Sequence, residues 1–173
     1  AKDIKISADD IYSIFPRGYK DILEYYLNEQ DKKMILSIPK NKLDKLKTKK
    51  KIYLIILTRL EQNKKEKDLI KRTIRTLALP KNQLLAYSSL YRTVDNMWHL
   101  SKDKSVDFNF YTKRLILSGI YISTLAYWLN DYSKDHCKTK VFLKKRIDTT
   151  KNISKIKNFF RKIIYYKEYQ SSV

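Results

Sequence analysis

The chain has 173 residues, 43% hydrophobic and 32% charged, and its 38 Lys and Arg against 18 Asp and Glu give a formal charge of +20. That balance excludes a disordered tail and a membrane bundle, and 2 Gly with 3 Pro argue against an all-β design built on tight turns. A single cysteine, Cys137, excludes an internal disulfide framework and a cysteine-based zinc site, and 2 His leave little material for any other metal centre.

The predicted elements are helical throughout. Helices over Ile6–Phe15 and Tyr19–Met34 flank the break Pro16-Arg17-Gly18. The next runs from Leu43 to Gln62; its β-branched stretch Ile52–Ile56 resembles a strand, but Leu43, Leu46, Tyr53, Leu57 and Leu60 keep helical spacing. Glu66–Leu79 stops at Pro80, which cannot continue a helix. Asn82 then caps Gln83–Leu100, and Asp107 caps a helix reaching Leu129. That last helix is apolar in nearly every direction, which predicts the centre of the core or of a subunit interface. Thr139–Thr150 is more amphipathic, with Val141, Phe142 and Ile147 inward and Lys144 and Lys145 outward. Ser154–Tyr169 closes the chain. The expected class is all-α. The longest apolar runs, such as Ile52–Leu57, fall far short of the about 20 residues of a membrane span. No signal-peptide pattern is seen, and the start at Ala1 suggests a missing N-terminal piece.

The charge is unevenly spread. Residues 40–75 hold 14 basic and 4 acidic side chains, and residues 151–173 hold 6 and 1. An AT-rich coding sequence yields many Lys, Ile, Asn and Tyr with no binding purpose, so the total alone does not choose between nucleic acid, anionic membrane and no partner. The tail is more specific. Ile153, Ile156, Phe160, Ile163 and Ile164 share one helical face, with Lys155, Lys157, Arg161 and Lys162 around it. This basic amphipathic pattern suits either an anionic membrane surface or docking on the protein itself.

The first residues resemble the helix-turn-helix of the tetracycline-repressor superfamily at Ala1, Ile4, Ile6, Ser7, Ile11, Tyr12 and Phe15. That family's first helix is absent here, and Lys5 stands where its turn usually has Gly. Asp9 and Asp10 open the would-be recognition helix, where carboxylates repel phosphates. A scaffold that has lost DNA is therefore favoured over a DNA-binding transcriptional regulator with a small-ligand pocket.

The middle of the chain carries the strongest motif. It reads Asp95-Asn96-Met97-Trp98-His99, then Ser105-Val106-Asp107-Phe108-Asn109-Phe110-Tyr111-Thr112-Lys113-Arg114, followed by Leu125–Ser133 and Thr139–Ile147. In order and spacing it resembles the ubiquinone (coenzyme Q) biosynthesis lipid-binding protein family, whose pattern is D-x-x-W-H, a turn ending in S-T-D, then F-N-W-Y-T-[KR]-R. Val106 and Phe110 replace Thr and Trp, and Lys102 stands where Gly is common. Phe15–Gly18 and Arg59-Leu60-Glu61 extend the resemblance over about residues 1–150.

The resemblance implies a repressor-like homodimer that binds isoprenoid quinone intermediates and presents them to a di-iron hydroxylase, the demethoxyubiquinone hydroxylase, at the membrane. It implies a partner-binding patch of Trp98, Asp107, Phe108, Tyr111 and Arg114. The division expected is residues 1–34 as a helix-turn-helix-like segment, 35–150 as a lipid-binding and dimerisation domain, and 151–173 as the basic tail. Location is expected to be cytoplasmic and peripheral on a bacterial inner membrane, or on the matrix side in a mitochondrion.

The residues themselves are compatible with that picture and with a blander one. Leu117, Tyr121, Leu125 and Trp128 either line a lipid cavity or fill the core. Asp107, Tyr111 and Arg114 either form an exposed recognition strip or merely cap and solvate their helix. His99, His136 and Cys137 are too few for a catalytic or metal set, and no glycine-rich phosphate loop is present. His99 is expected to be a hydrogen-bonded structural histidine. The expectation is a protein that is not an enzyme and uses no cofactor.

Overall fold

The computed structural model describes residues 8–102 and 108–150, except the side chains of residues 8, 9, 40, 108 and 109. Among the described residues there is no β-strand. The α-helices are α1 (Ala8–Ile14), α2 (Tyr19–Ser37), α3 (Lys40–Asp44), α4 (Thr48–Glu61), α5 (Lys67–Leu77), α6 (Gln83–Leu100), α7 (Phe108–Leu129) and α8 (Cys137–Thr149). Short 3-10 turns at Lys64–Glu66, Pro80–Asn82 and Lys134–His136 lead into α5, α6 and α8. The fold is all-α, as expected.

The break before α2 is set by Gly18, whose φ of 62° and ψ of −129° lie where side chains with a Cβ are strained. Its N–H closes the turn on the Phe15 carbonyl at 2.8 Å. The predicted helix Leu43–Gln62 is two helices. Between Leu46 and Ile52 stand Lys47, Thr48, Lys49, Lys50 and Lys51, with no apolar residue to bury and like charges one turn apart. The chain leaves the helix at Lys45–Lys47, at the N-terminal edge of this run, with Lys47 extended, and Thr48–Lys51 already form the first turn of α4. The strand-like run Ile52–Ile56 is helical and buries Ile52, Ile55 and Ile56.

Asn82 does precede α6, but its side chain makes no cap bond. Its Nδ2 donates to the Thr76 carbonyl at 2.8 Å and its Oδ1 accepts from the Tyr19 hydroxyl at 3.0 Å. Buried, it ties the end of α5 to the start of α2. Helix α7 has the predicted extent, although Asp107 lies outside the described residues. Within one chain it is not buried on most sides. Leu117, Ile120, Tyr121, Thr124 and Trp128 face the core, while Tyr111, Leu115 and Ile122 form an exposed apolar stripe, Leu115 being 71% exposed. Helix α8 turns Leu143, not Val141, inward with Thr139 and Ile147, and Val141 is 56% exposed. The 139–143–147 spacing keeps a straight face, from which 141 points away.

Helix α8 is capped from a distance. His136, at its N-cap, is in the left-handed region and makes no side-chain cap bond. Buried Asp131 takes that role, accepting from the Thr139 N–H at 2.8 Å and hydroxyl at 2.6 Å, and from the Ser133 N–H at 2.9 Å. Burial pushes the Asp131 carboxyl up, but the bonds from Ser133 and Thr139 outweigh it and hold the group well below the usual carboxylate range.

Around this frame α2 packs on α4 and α6, α6 on α7, and α7 on α8, with α4 crossing between α6 and α8. Met34, Ile55, Ile56, Val94, Met97, Leu117 and Leu143 form the close-packed centre. No helix of the described residues is long and apolar enough to cross a membrane.

Candidate functional site

Besides Asp131, two places among the described residues hold buried charge, and each is built on an arginine. The first joins α6 to α7. Arg114 on α7 reaches Asp95 on α6, with Nε donating to Oδ1 at 2.7 Å and Nη2 donating to the same oxygen. Its Nη1 donates to the Phe110 carbonyl at 3.3 Å, and the guanidinium lies 3.2 Å from the centre of the Phe110 ring. All three guanidinium nitrogens are occupied. The Asp of the Asp95–His99 motif and the last residue of the Phe108–Arg114 motif thus close on each other.

This corrects the picture of an exposed strip carrying Arg114. The side chain is 6% exposed and engaged within the fold, whereas Tyr111 is 68% exposed. Trp98 is buried beneath Lys113, whose Nζ lies 5.6 Å from its ring. Asp107 and the side chain of Phe108 lie outside the described residues. His99 is exposed and meets Asp95 Oδ2 at 3.2 Å, a surface contact on a carboxylate already held by Arg114.

The second place is a solvent-open cavity of about 430 Å³ bordered by α2, α4, α5, α6 and α7. Its volume lies in the about 300–1,000 Å³ range that takes small ligands. Helix α5 presents Ile70, Thr73, Ile74 and Leu77 to it, at the one-face spacing of an amphipathic helix. Helix α6 presents Ala86, Ser89, Leu90 and Thr93, and α7 presents Tyr121, Ile122, Leu125, Ala126 and Leu129. Small residues at 78, 86 and 126 leave the space open.

Two of the four lipid-facing residues expected on α7, Tyr121 and Leu125, line this cavity. The other two do not. Leu117 and Trp128 are fully buried packing residues, and Leu117 borders a separate void of about 80 Å³ beside Trp98 and Ile147. Seven residues along a straight helix bring the face round, but the core and the cavity divide that face between them. The tail residues Ile153, Lys155, Ile156, Lys157, Phe160, Arg161, Lys162, Ile163 and Ile164 lie outside the described residues.

The cavity wall is apolar except along one strip. Arg59 on α4 is 3% exposed. Its Nη2 pairs with Asp31 Oδ1 at 3.0 Å. Asp31, also buried, accepts from Arg92 Nε at 3.1 Å and the Thr93 hydroxyl at 2.9 Å. One carboxylate therefore serves two guanidiniums. Arg59 Nε and Nη1, Asn63 Oδ1 and Ser89 Oγ are buried without a hydrogen-bond partner. Each such group costs about 1–3 kcal/mol if left unsatisfied, so their gathering on one cavity wall needs a reason.

Sequence reasoning did not single out this strip as a site. Its signal was present: Arg59 follows Ile52, Ile55 and Ile56 on the same helical face, where a cation stands in an apolar phase. Among the described residues, no group of three or more His, Cys, Asp or Glu is placed to hold a metal ion.

Comparison with known proteins agrees with this arrangement of fold and motif. The COQ9 family model matches residues 84–154, which span α6, α7 and α8. The chain is 36% identical over 116 residues to a probable ubiquinone biosynthesis protein coq9, mitochondrial, of Dictyostelium discoideum, covering 67% of this chain and 38% of that protein. It is 29% identical over 147 residues to ubiquinone biosynthesis protein coq9, mitochondrial, of Schizosaccharomyces pombe, covering 84% and 58%. Against the rat protein COQ9 it is 42% identical over 82 residues, 47% of this chain and 26% of that one. The chain thus spans less than two thirds of each of these relatives. In structure it is similar to a TetR transcriptional regulator from Nitrosomonas europaea, with a TM-score of 0.70 at 19% identity, over 86% of this chain and 82% of the regulator. Residues 84–154 thus match the COQ9 family model, and the chain has a helical fold similar to that of a TetR regulator.

Proposed function

We propose that this chain is a non-catalytic lipid-binding accessory protein of ubiquinone biosynthesis. It takes an isoprenoid quinone intermediate into the cavity between α2 and α7 and presents it to a di-iron hydroxylase. The observation that carries this reading is the cavity itself, a mostly apolar space of about 430 Å³ in a chain whose residues 84–154 match COQ9. Lipid sites are mostly apolar with few polar groups, and this cavity has that character. The relatives named above are ubiquinone biosynthesis proteins by name, and each is mitochondrial by name.

Two further features fit the same role. Leu115 and Ile122 on α7 and Val141 on α8 are exposed apolar residues suited to burial against a second copy of the chain. The basic amphipathic tail from residue 151 suits the anionic leaflet where such a lipid resides, at about 1 kcal/mol per Lys or Arg. The partner surface for the hydroxylase centres on exposed Tyr111, with Arg114 holding α7 in place beneath it rather than touching the partner.

Mass spectrometry of an organic extract from the purified protein tests the reading, with a control protein of similar charge. Stoichiometric isoprenoid quinone or precursor is expected. A clean extract, together with failure to take up quinone from vesicles, would overturn it.

A further inference from the structure

The cavity is not uniformly apolar, and its polar strip has a definite composition. Asp31 ties Arg59 on α4 to Thr93 on α6. Asn63 follows Arg59 by one turn, its Nδ2 donating to the Arg59 carbonyl at 2.9 Å. Ser89 precedes Thr93 by one turn. All of Arg59, Asn63, Ser89 and Thr93 line the cavity. The unpartnered atoms are two nitrogens of Arg59, which carry three N–H groups between them, the Asn63 Oδ1 acceptor and the Ser89 hydroxyl. A purely hydrocarbon ligand would satisfy none of them.

The surrounding charges have been assigned elsewhere. Asp31 is shared with Arg92. Glu66, the next carboxylate, accepts from the Tyr26 hydroxyl at 3.0 Å and from Gln30 Nε2 at 3.3 Å. Neither leaves an oxygen to Arg59 Nε or Nη1.

From this we infer that Arg59, with Ser89 and Asn63, is the seat of the ligand's oxygen-bearing ring, so that the ring is carried inside the cavity and the chain trails toward the mouth. Resting on the proposed lipid-carrying function, the inference adds which end of the lipid is held and by what. A ring carbonyl accepts from one of the unpartnered Arg59 nitrogens, Nε or Nη1, and a neighbouring ring hydroxyl, where the intermediate has one, donates to Asn63. Hand-over to another protein then requires the ring to leave Arg59.

The test uses two probes on the full chain: a decyl-substituted trimethylbenzoquinone, and the decyl-substituted trimethylbenzene that lacks its two carbonyl oxygens. Binding of each is measured by competition with a fluorescent lipid. Wild-type protein is expected to prefer the quinone by about tenfold or more, the scale of a charge-assisted hydrogen bond. Arg59→Lys keeps a cation for Asp31 but loses the Nε and Nη1 donors, and Ser89→Ala breaks no internal bond. Both are expected to shrink the preference, Arg59→Lys to near unity, while affinity for the hydrocarbon stays level. Equal binding of the two probes to wild-type protein would overturn the ring seat and leave the lipid cavity standing. Binding of neither probe would overturn the lipid cavity itself. A preference that survives unchanged in both variants would also remove Arg59 and Ser89 as the seat.

Discussion

Arg59 and Arg114 are buried to nearly the same degree, yet they are satisfied very differently. Arg114 spends all its nitrogens on Asp95 and Phe110 and lies flat on an aromatic ring. Arg59 has one carboxylate partner, itself shared, and keeps two buried nitrogens unpartnered on a helix that lines a cavity. A buried charge that is fully bonded is a clip between helices. One that is half bonded beside empty space is a group waiting for a ligand. Position in a family motif does not make that distinction, because Arg114 lies in the stronger motif and has the more structural role.

The largest expected effect comes from breaking the clip. Arg114→Met leaves Asp95 with only exposed His99 as a partner, and should lower stability by about 2–4 kcal/mol. Arg59→Met should cost less, about 1–2 kcal/mol, because Asp31 keeps Arg92 and Thr93. Urea denaturation of the two variants side by side checks the order. A reversed order would dissolve the contrast between them. A substitution at Arg114 that weakens hydroxylase binding therefore has to be read against its melting curve.

A smaller effect separates both arginines from the capping of α8. The Asp131 carboxyl is held below its ordinary value in the folded chain. Its contribution is therefore fully present above the unfolded carboxylate value near about pH 4 and is lost as pH falls below it. Asp131→Asn should remove that acid-side dependence and cost about 1–2 kcal/mol at neutral pH. Stability of wild type and variant as a function of pH measures both.

The smallest effect is a gain. Lys102 follows the end of α6 with a φ of 58°, the left-handed conformation in which glycine is preferred. Its Nζ meets Asp44 at 2.6 Å, and the hydrogen bond holds the Asp44 carboxyl below its usual range. Lys102→Gly exchanges that exposed ion pair for a relaxed backbone, with an expected net gain of about 0.5–1 kcal/mol. A thermal melt reads it, and no change in lipid uptake should accompany it.

Much of this fold was legible in the sequence, for reasons that differ by region. Helices α6 and α7 were readable almost to the residue because apolar spacing and Pro80 point the same way, although Asn82 makes no cap. The split between α3 and α4 was missed because the break at Lys45–Lys47 contains neither Gly nor Pro and the apolar spacing on either side bridges it. On α7, sequence could find the apolar residues but not sort them. Leu117 and Trp128 went to the core, Tyr121 and Leu125 to the cavity, and Leu115 to the surface, a division made by neighbouring helices. The polar strip was harder still. Arg59, Asp31 and Ser89 lie on three helices, and only the packing of α2, α4 and α6 brings them together.

The most direct measurement compares lipid bound to wild-type protein and to Ala86→Trp, in which an indole occupies the cavity from α6. Organic extracts of both, purified in parallel, are weighed by mass spectrometry beside their melting temperatures. A cavity that carries the lipid predicts stoichiometric isoprenoid in the wild type and its loss in a variant that still folds. Equal lipid in both proteins would contradict the cavity as the binding site.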